Sequence, residues 1–300
     1  MKASRAPFLV AAAIPAILGG MVAYATLPPG RFLWLVFVLA IVANMTAQVA
    51  ANLANDYYDH LSTDDDINIH VTPFSGGSRM IQDKLIPART ILVAALIAFA
   101  IAFAAGVYLA VTRTLLVLPI GLTGLFIGYF YTAPPIKFAY RGLGELVIGL
   151  TFGPLSVAGA YVVQTLSLSG LAWLWPSIPV GLLVLGILYI NEFPDYEADR
   201  ATQKNHLVVR LGLERASKGY VLLLALIYLS IVGPVALGLM PALALISLLG
   251  LPLAFKAGSV ALKEYGNPET IVPAQATHIL LFTVTGLLIS LAYLLQALLS

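Results

Sequence analysis

The chain has 300 residues, of which 60% are hydrophobic and 10% charged, and its mean hydropathy is +0.94. Soluble proteins carry about a quarter charged residues, so this composition excludes a soluble globular protein and predicts a chain that crosses a membrane several times. The net charge of +2 is too small to indicate nucleic-acid binding, and the lack of cysteine excludes disulfides, thiolate metal sites and cysteine nucleophiles.

Nine apolar segments approach the length of about 20 residues that a bilayer-spanning helix needs. The first resembles a signal peptide, because Lys2 and Arg5 precede it and Ala23-Tyr24-Ala25 resembles a cleavage site. Its length and the spans that follow favour a retained helix instead. The eighth segment is short and contains Pro252. The predicted spans are 8–27, 33–54, 91–111, 114–132, 145–164, 172–193, 218–238, 241–257 and 275–297.

The basic residues predict how these helices are oriented. With a cytoplasmic N-terminus, 14 of the 16 Lys and Arg residues fall in cytoplasmic segments, and only Arg31 and Arg113 lie on the other side. This is the bias expected of membrane proteins, whose cytoplasmic loops are rich in Lys and Arg. We therefore expect a multi-pass protein of the cell inner (cytoplasmic) membrane. Its N-terminus and the loops after helices two, four, six and eight face the cytoplasm.

Acidic residues gather at the ends of two predicted helices. All 14 fall on the predicted cytoplasmic side, although the positive-inside rule does not require this. Carboxylates at a helix C-terminus also oppose the helix dipole, so another interaction must favour them there. The two clusters consist of Asp56, Asp59, Asp64, Asp65, Asp66 and Asp83 in the first and Glu192, Asp195, Glu197 and Asp199 in the second.

The two clusters share a spacing. Asn55 and Asp59 are four residues apart, and Asn191, Asp195 and Asp199 repeat this interval. Residues four apart lie on one face of a helix, so each cluster presents amide and carboxylate oxygens in one direction. Either cluster alone is typical of a solvated helix end, whereas two matching clusters on one side of the membrane indicate a site.

Converging carboxylates repel one another unless a cation joins them. Oxygen ligands suit Mg²⁺, which binds through one or two carboxylates together with substrate phosphates. Basic residues close to the clusters can bind the remaining phosphate charge. The sequence therefore predicts two carboxylate platforms that hold a diphosphate through Mg²⁺. The nearby basic residues are Arg79, Lys84, Arg200 and Lys204.

Three stretches resemble the UbiA superfamily of intramembrane prenyltransferases. They are NDYYD (55–59) followed by further acids, YTAPPIKFAYRGLGELVIGLTFGPL (131–155) and NEFPDYEADRATQKNHLVVRLG (191–212), and together they extend over most of the chain. GPLSVAGAYVVQT (153–165) and VVRLG (208–212) are most similar to the branch that prenylates 1,4-dihydroxy-2-naphthoate in menaquinone biosynthesis.

The resemblance implies an all-α membrane protein in which about nine transmembrane helices surround a central cavity with a cytoplasmic cap, in a single domain over 1–300. It also implies that the acidic motifs face each other and bind Mg²⁺ and the diphosphate of a polyprenyl donor. The implied catalytic residues are Asp59, Asp195 and Asp199, the implied metal ligands are Asp56, Asp59, Asp65, Asp195 and Asp199, and the implied substrate contacts are Asn55, Asn191, Arg79, Lys137, Lys204 and Tyr131.

Two departures from the family pattern affect these assignments. The family has an acid four or six residues after the position of Asp59, and because position 63 is Thr, Asp65 is preferred to Asp64. The family also reads Gly-Lys-Arg-Thr where this chain has Gln203-Lys204-Asn205-His206, so a phosphate-binding Arg is missing.

The implied reaction joins a polyprenyl group to an aromatic acceptor, with loss of CO₂ when the acceptor is dihydroxynaphthoate. The main alternative is the same chemistry on another acceptor, such as 4-hydroxybenzoate, homogentisate or glycerol phosphate. A membrane transporter is less favoured because its acids would lie near the membrane midplane, and a lipid phosphotransferase because it would carry a single compact acidic motif. The sequence does not specify the acceptor, the prenyl chain length, the oligomeric state or the general base. His278 is a polar group inside the last span and a further functional candidate, while Glu145 suits a helix N-terminus.

Overall fold

The computed structural model describes residues 8–299, and this part of the chain is helical. Eight of its helical segments are long and apolar enough to cross a membrane, and one shorter apolar helix follows the third of them. Lys2 and Arg5, which contribute to the predicted orientation, lie outside the described residues. The α-helices are α1 (Leu9–Thr26), α2 (Trp34–Leu61), α3 (Asp64–Ile67), α4 (Ala88–Thr112), α5 (Val117–Phe130), α6 (Gly144–Leu150), α7 (Ser156–Thr165), α8 (Leu174–Ala201), α9 (Leu207–Leu211), α10 (Leu213–Ala236), α11 (Leu251–Glu264) and α12 (Val272–Leu299).

The nine predicted segments all correspond to helices, and the two that precede the acidic clusters run further than hydropathy indicates. The predicted second span ends at residue 54, whereas α2 continues to Leu61. The predicted sixth span ends at residue 193, whereas α8 continues to Ala201. Hydropathy marks where the apolar residues stop, and the backbone hydrogen bonds of a helix continue past that point. The extension of α2 carries Asp56 and Asp59, and the extension of α8 carries Asp195, Glu197 and Asp199, so these acids are on helices.

Two predicted spans are not regular α-helices throughout. The fifth consists of α6, a five-residue π-helical turn (Thr151–Leu155) and α7. Pro154 lies in this turn and has no N–H to donate to the preceding turn, which accounts for the local change in winding. The eighth begins as a 3₁₀-helix (Ala242–Gly250) and continues as α11, with Pro252 in the first turn of α11, where no N–H is needed.

The spans pack as a closed circuit with two unequal sides. Successive helices are neighbours, and α12 packs on α1, which in turn packs on α2. The main hydrophobic core lies between α1, α7, α8 and the last three spans, and includes Leu18, Leu183, Ile227 and Phe282. A cavity occupies the other side, where α1, α2, α4, α5, α6, α7 and α8 contribute to its wall.

Glycines allow α6 and α8 to approach closely beside this cavity. A Cβ added at Gly181 would lie 2.4 Å from the carbonyl oxygen of Gly149, and one at Gly153 would lie 2.7 Å from the carbonyl oxygen of Ser177. Real Cβ atoms do not come this near to backbone oxygen, so these positions need glycine. The contact fixes the distance between α8, which carries the second acidic cluster, and the fifth span.

Three connections cover one end of the bundle. They contain α3, a 3₁₀-helix (Phe138–Arg141) and α9. Arg210 Nη2 donates to the carbonyl oxygen of Arg141 at 2.7 Å, and the Tyr140 hydroxyl donates to Ser62 Oγ at 2.7 Å. These bonds join the three connections into a cap over the end at which both acidic clusters lie.

Candidate active site

The first acidic cluster is formed by the last turns of α2 and the residues that follow. Asn55 Nδ2 donates to Asp59 Oδ2 at 2.9 Å, one helical turn away. Thr63 has a left-handed backbone with φ of 63°, which turns the chain after α2 and brings Asp64 and Asp65 back toward Asp59. Each of these three carboxylates is at most 5% exposed, and they can place oxygens within 4.8 Å of one another.

Lys204 joins this cluster to the second one. Its ammonium lies 2.6 Å from Asp64 Oδ2 and 3.3 Å from Asp59 Oδ2. The same group is 3.4 Å from Asp199 Oδ1 on α8. Burial disfavours a charge on Lys204, but the three carboxylates outweigh burial and raise the pKa of this lysine well above its usual value. Lys204 is therefore a fixed positive charge between the two acidic clusters.

The pKa of Asp64 shifts in the opposite direction to that of Lys204. Burial opposes its ionisation, but Lys204 and a hydrogen bond from Thr202 Oγ1, at 2.7 Å from Asp64 Oδ1, lower the pKa of the carboxyl below its usual value. Asp64 is thus a carboxylate engaged by two donors. It faces Lys204 and does not line the cavity, whereas Asp65 does.

The second acidic cluster lies on the last turns of α8. Asn191, Asp195 and Asp199 share one face of the helix, and all three line the cavity. Asn68 Nδ2 donates to Asp195 Oδ1 at 2.7 Å, so the loop after α3 contacts α8 directly. Asn191 Oδ1 is buried without a hydrogen-bond partner among the described residues.

The remaining predicted site residues divide between the cavity and its surroundings. Tyr131 lines the cavity. Asp56 Oδ1 accepts the Ser78 amide at 3.2 Å and faces away from the lining. Arg79 Nη1 donates to the carbonyl oxygen of Asp65 and so supports the loop that carries this carboxylate. Lys137 also lies outside the lining, with its ammonium 4.7 Å from the centre of the Tyr140 ring.

Sequence reasoning missed Asn68, Thr202 and His206. Asn68 and Thr202 are ordinary loop polar residues, and only the folded chain brings them to carboxylates on another segment. His206 has a weak local signal, since it begins α9 and accepts the Val209 amide at 3.4 Å. Its other nitrogen, Nε2, is 2.7 Å from Asp199 Oδ2.

His278, the functional candidate in the last span, has a structural role. The Tyr220 hydroxyl is 2.6 Å from His278 Nδ1, and His278 Nε2 is 2.9 Å from the carbonyl oxygen of Leu183. Both ring nitrogens are satisfied, and the residue is fully buried away from the cavity lining. The histidine therefore ties α8, α10 and α12 together inside the main core.

The cavity changes from polar to apolar along its length. Its volume is about 340 Å³, within the range of small-molecule sites. The polar end is formed by the two acidic clusters and Lys204, and the opposite end is lined by Ala40, Leu109, Val117 and Gly121. The arrangement fits an amphiphile with an anionic head and a hydrocarbon tail.

The carboxylates at the polar end meet the requirements of a hard divalent cation. The donors are oxygen atoms, and three carboxylates of the first cluster lie close enough to share an ion. Asp199 Oδ1 is buried 3.4 Å from Lys204 and makes no hydrogen bond within the described part of the chain. A divalent cation together with Lys204 would provide the positive charge that a bound diphosphate needs. The fold and the site thus define an integral membrane protein for an anionic lipid-like ligand.

Comparison with known proteins identifies the class more closely. Residues 12–281 match the profile of the UbiA prenyltransferase family. The chain belongs to this family, which confirms the resemblance predicted from the three sequence stretches. The all-α membrane architecture is confirmed as well, by the helical spans and by the structural likeness described next.

Two relatives and one solved structure illustrate the match. The 1,4-dihydroxy-2-naphthoate octaprenyltransferase of Bacillus subtilis is 31% identical over 78% of this chain and 73% of its own. The 2-carboxy-1,4-naphthoquinone phytyltransferase of Synechocystis is 29% identical over 98% of this chain and 92% of its own. A UbiA homologue from Archaeoglobus fulgidus, solved with DMAPP and Mg²⁺, has a TM-score of 0.68 at 16% identity, over 96% of this chain and 97% of that one.

Proposed function

We propose that this protein transfers a polyprenyl group from an isoprenoid diphosphate to 1,4-dihydroxy-2-naphthoate, a step of menaquinone biosynthesis, with Mg²⁺ as cofactor. The observation that carries the proposal is the position of Lys204 between two buried carboxylate clusters at the mouth of an apolar cavity. The naphthoate named for the Bacillus relative and the 2-carboxy-1,4-naphthoquinone named for the Synechocystis relative support this choice of acceptor.

The residues have the following proposed roles. Asp59 and Asp65 would hold Mg²⁺ from one side and Asp195 and Asp199 from the other. Bound there, the ion would neutralise charge that develops on the departing diphosphate. Asp56 was expected from the sequence to join this set, but its contact with the Ser78 amide favours a supporting role in the loop.

The other side chains act on the substrates. Lys204 stabilises the leaving diphosphate by a direct charge, and the Asn55 and Asn191 amides can donate to its oxygens. The allylic C–O bond breaks and its electron pair leaves with the diphosphate. Tyr131 lies on the cavity wall, where it can face the allylic cation. The apolar walls keep water from capturing the cation before the aromatic ring attacks.

We also propose the orientation and extent of the protein. The bias of Lys and Arg supports a site that opens to the cytoplasm across the inner membrane. The apolar end of the cavity, between α4 and α5, supports a tail that lies within the bilayer. Residues 1–300 would form a single catalytic domain.

The test is product formation by the purified protein in lipid. Labelled polyprenyl diphosphate and Mg²⁺ are supplied with dihydroxynaphthoate or with 4-hydroxybenzoate. We expect Mg²⁺-dependent prenylation of the naphthoate alone. Product with the benzoate alone would change the acceptor and keep the chemistry. Lack of product with either acceptor, together with transmembrane flux of the diphosphate, would favour a transporter.

Site variants test the assignment of the carboxylates. Asp59→Asn and Asp195→Asn keep the size of the side chain and remove its charge, and we expect each to reduce turnover by at least about 100-fold. The exposed Glu197→Gln on α8 is the matched control and should retain activity. Wild-type turnover in both aspartate variants would contradict the proposed site.

A further inference from the structure

A second group of buried ionisable side chains lies beside the Lys204 cluster. Glu145 is fully buried, Glu192 is 6% exposed and His206 is 2% exposed. One ligand atom from each lies within 4.8 Å of the others. Glu192 and His206 are on the cavity wall, next to Tyr131, and Glu145 lies behind them. The group has no place in the diphosphate site proposed above.

The contacts of His206 show which ring nitrogen carries a proton. Nδ1 accepts the Val209 amide, which leaves Nε2 to donate to Asp199 Oδ2. The lone pair of Nδ1 is then 3.3 Å from Glu192 Oε2. Glu192 Oε2 therefore receives no hydrogen bond from the imidazole.

Glu145 leaves a further carboxylate oxygen without a donor. Its Oε1 accepts the Leu207 amide, which holds the side chain in place. Its Oε2 and Glu192 Oε2 are both buried and make no hydrogen bond within residues 8–299. Such oxygens are costly to bury, so this wall of the cavity is arranged to receive a proton.

We propose that Glu192 accepts the hydroxyl proton of the aromatic acceptor during prenyl transfer, with Glu145 and His206 as positioning residues. The inference rests on the proposed function, because it needs an acceptor with a ring hydroxyl. Glu192 is three residues before Asp195 on α8, which is about 4.5 Å along the helix axis. A ring placed against Glu192 therefore lies next to the diphosphate held at the end of α8.

The other acids of the cavity are less suited to this task. Asp195 Oδ1 accepts from Asn68, and Asp199 Oδ2 accepts from His206. Asp199 is also paired with Lys204, so a proton there would disrupt the charge balance of the diphosphate site. Glu192 lines the polar part of the cavity, and its Oε2 accepts no hydrogen bond from a lysine or an amide within residues 8–299.

The proton transfer to Glu192 accompanies formation of the new carbon–carbon bond. A ring carbon forms a bond to the allylic carbon as the diphosphate departs with the electron pair of the broken C–O bond. The hydroxyl O–H bond breaks, its proton moves to Glu192, and its electron pair forms a ring ketone. The ring carbon then loses its hydrogen as H⁺ or its carboxylate as CO₂. The released electron pair restores the aromatic ring, and Glu192 returns the proton to the oxygen.

The test compares variants of the full-length protein in lipid with labelled polyprenyl diphosphate and dihydroxynaphthoate. Glu192→Gln keeps the shape and cannot accept the proton, so we expect kcat to fall by about 10²–10⁴-fold. Donor affinity and the KM for the acceptor should stay within about threefold. Glu192→Asp retains a carboxylate and should recover part of kcat. The exposed Glu197→Gln is the control on the same helix.

An acceptor with methylated ring oxygens makes the test specific. It has no hydroxyl proton to lose, so wild type and Glu192→Gln should prenylate it at equal rates. Glu145→Gln should lower kcat for the hydroxylated acceptor with little change in KM, and should have no effect on the methylated one.

Three results would overturn the inference. Wild-type kcat in Glu192→Gln would remove Glu192 from proton transfer while leaving the proposed function intact. A large loss of donor affinity in this variant would instead place Glu192 in the diphosphate site. Lack of any prenylated aromatic product from the wild-type protein would overturn the proposed function and this inference together.

Discussion

A single lysine provides the charge balance of the site in the absence of other cations. Lys204 contacts carboxylates from both acidic clusters, and its side chain is only 15% exposed. Buried carboxylates without a counter-charge are strongly destabilising, and removal of one partner of a buried pair costs about 3–5 kcal/mol. The ammonium therefore contributes to stability as well as to the proposed binding of the diphosphate.

We expect Lys204→Met to make the stability of the protein depend on Mg²⁺. Without divalent cations, the variant should unfold several degrees below the wild type, and Mg²⁺ should raise its midpoint more than that of the wild type. Thermal unfolding in detergent with EDTA or with Mg²⁺ measures both effects. Lys218→Met removes a solvent-exposed lysine paired with Glu214 and should change little. Equal midpoints for Lys204→Met and the wild type in EDTA would contradict this account.

The buried imidazole of His206 predicts a loss of stability in mild acid. In the unfolded chain a histidine takes up its proton near pH 6.5, whereas burial keeps the folded His206 neutral down to a pKa of about 3. As the pH falls between these values, the unfolded state gains a proton that the folded state lacks, so stability decreases by up to about 1.4 kcal/mol per pH unit.

The corresponding measurement is the unfolding midpoint between pH 7 and pH 5 in EDTA. The wild type should lose stability over this interval more steeply than His206→Gln, which has no titrating group and retains a side-chain oxygen for the Val209 amide. Asp64 does not contribute here, because its lowered pKa places its loss of stabilisation below the usual pKa of an aspartate. Parallel profiles for the two proteins would rule out a buried neutral histidine.

At the scale of elements, the site depends on how closely α8 approaches the fifth span. Gly181 and Gly153 bring the two backbones into contact, and no side chain can separate them without moving a helix. The π-helical turn at Thr151–Leu155 lies directly opposite, and three of its residues, Thr151, Phe152 and Leu155, line the cavity. Packing at this contact therefore sets the distance between α8 and the fifth span beside the cavity.

We expect Gly181→Ala to lower stability by about 1–3 kcal/mol, since its methyl group would meet the Gly149 carbonyl oxygen at 2.4 Å. Activity should fall with it, because the displaced α8 carries half of the proposed site. Gly233→Ala on α10 meets no atom within 4 Å and should be neutral or slightly stabilising. Measuring the unfolding midpoint and the activity of both variants tests the contact between α8 and the fifth span. A wild-type midpoint for Gly181→Ala would show that α8 can shift freely.

At the scale of the whole molecule, the two ends of the bundle differ in chemistry. The acidic clusters and the three capping connections lie at one end, and the connections at the other end contain Arg113, hydrogen-bonded to the backbone of α7. The asymmetry gives the cavity one polar and one apolar end. It also makes the orientation in the membrane directly testable.

The absence of cysteine allows each end to be labelled separately. Glu269→Cys lies in the exposed connection between α11 and α12 at the site end, and Ser169→Cys lies in the exposed connection before α8 at the other end. If the site faces the cytoplasm, a membrane-impermeant maleimide should label Ser169→Cys in intact cells. Glu269→Cys should react only after the membrane is opened. The reverse pattern would contradict the proposed orientation.

The sequence by itself determined the membrane class, the approximate spans and the residue types of the acidic clusters. Hydropathy is a local property, and the four-residue spacing of Asn55 and Asp59 follows from helix geometry alone, so neither needs tertiary information. The extension of α2 and α8 beyond their apolar stretches was implicit in that spacing.

The tertiary structure alone decided which side chains meet. Lys204, Asn68 and Thr202 reach carboxylates more than a hundred residues away in sequence. Nothing local distinguishes Asn68 and Thr202 from solvated loop residues. Glu145 is a further example. Its sequence position predicted an acid at a helix N-terminus, and only the structure shows that it is buried beside Glu192 and His206. Distances between segments are set by the packing of whole helices, and a local sequence pattern does not specify how helices pack.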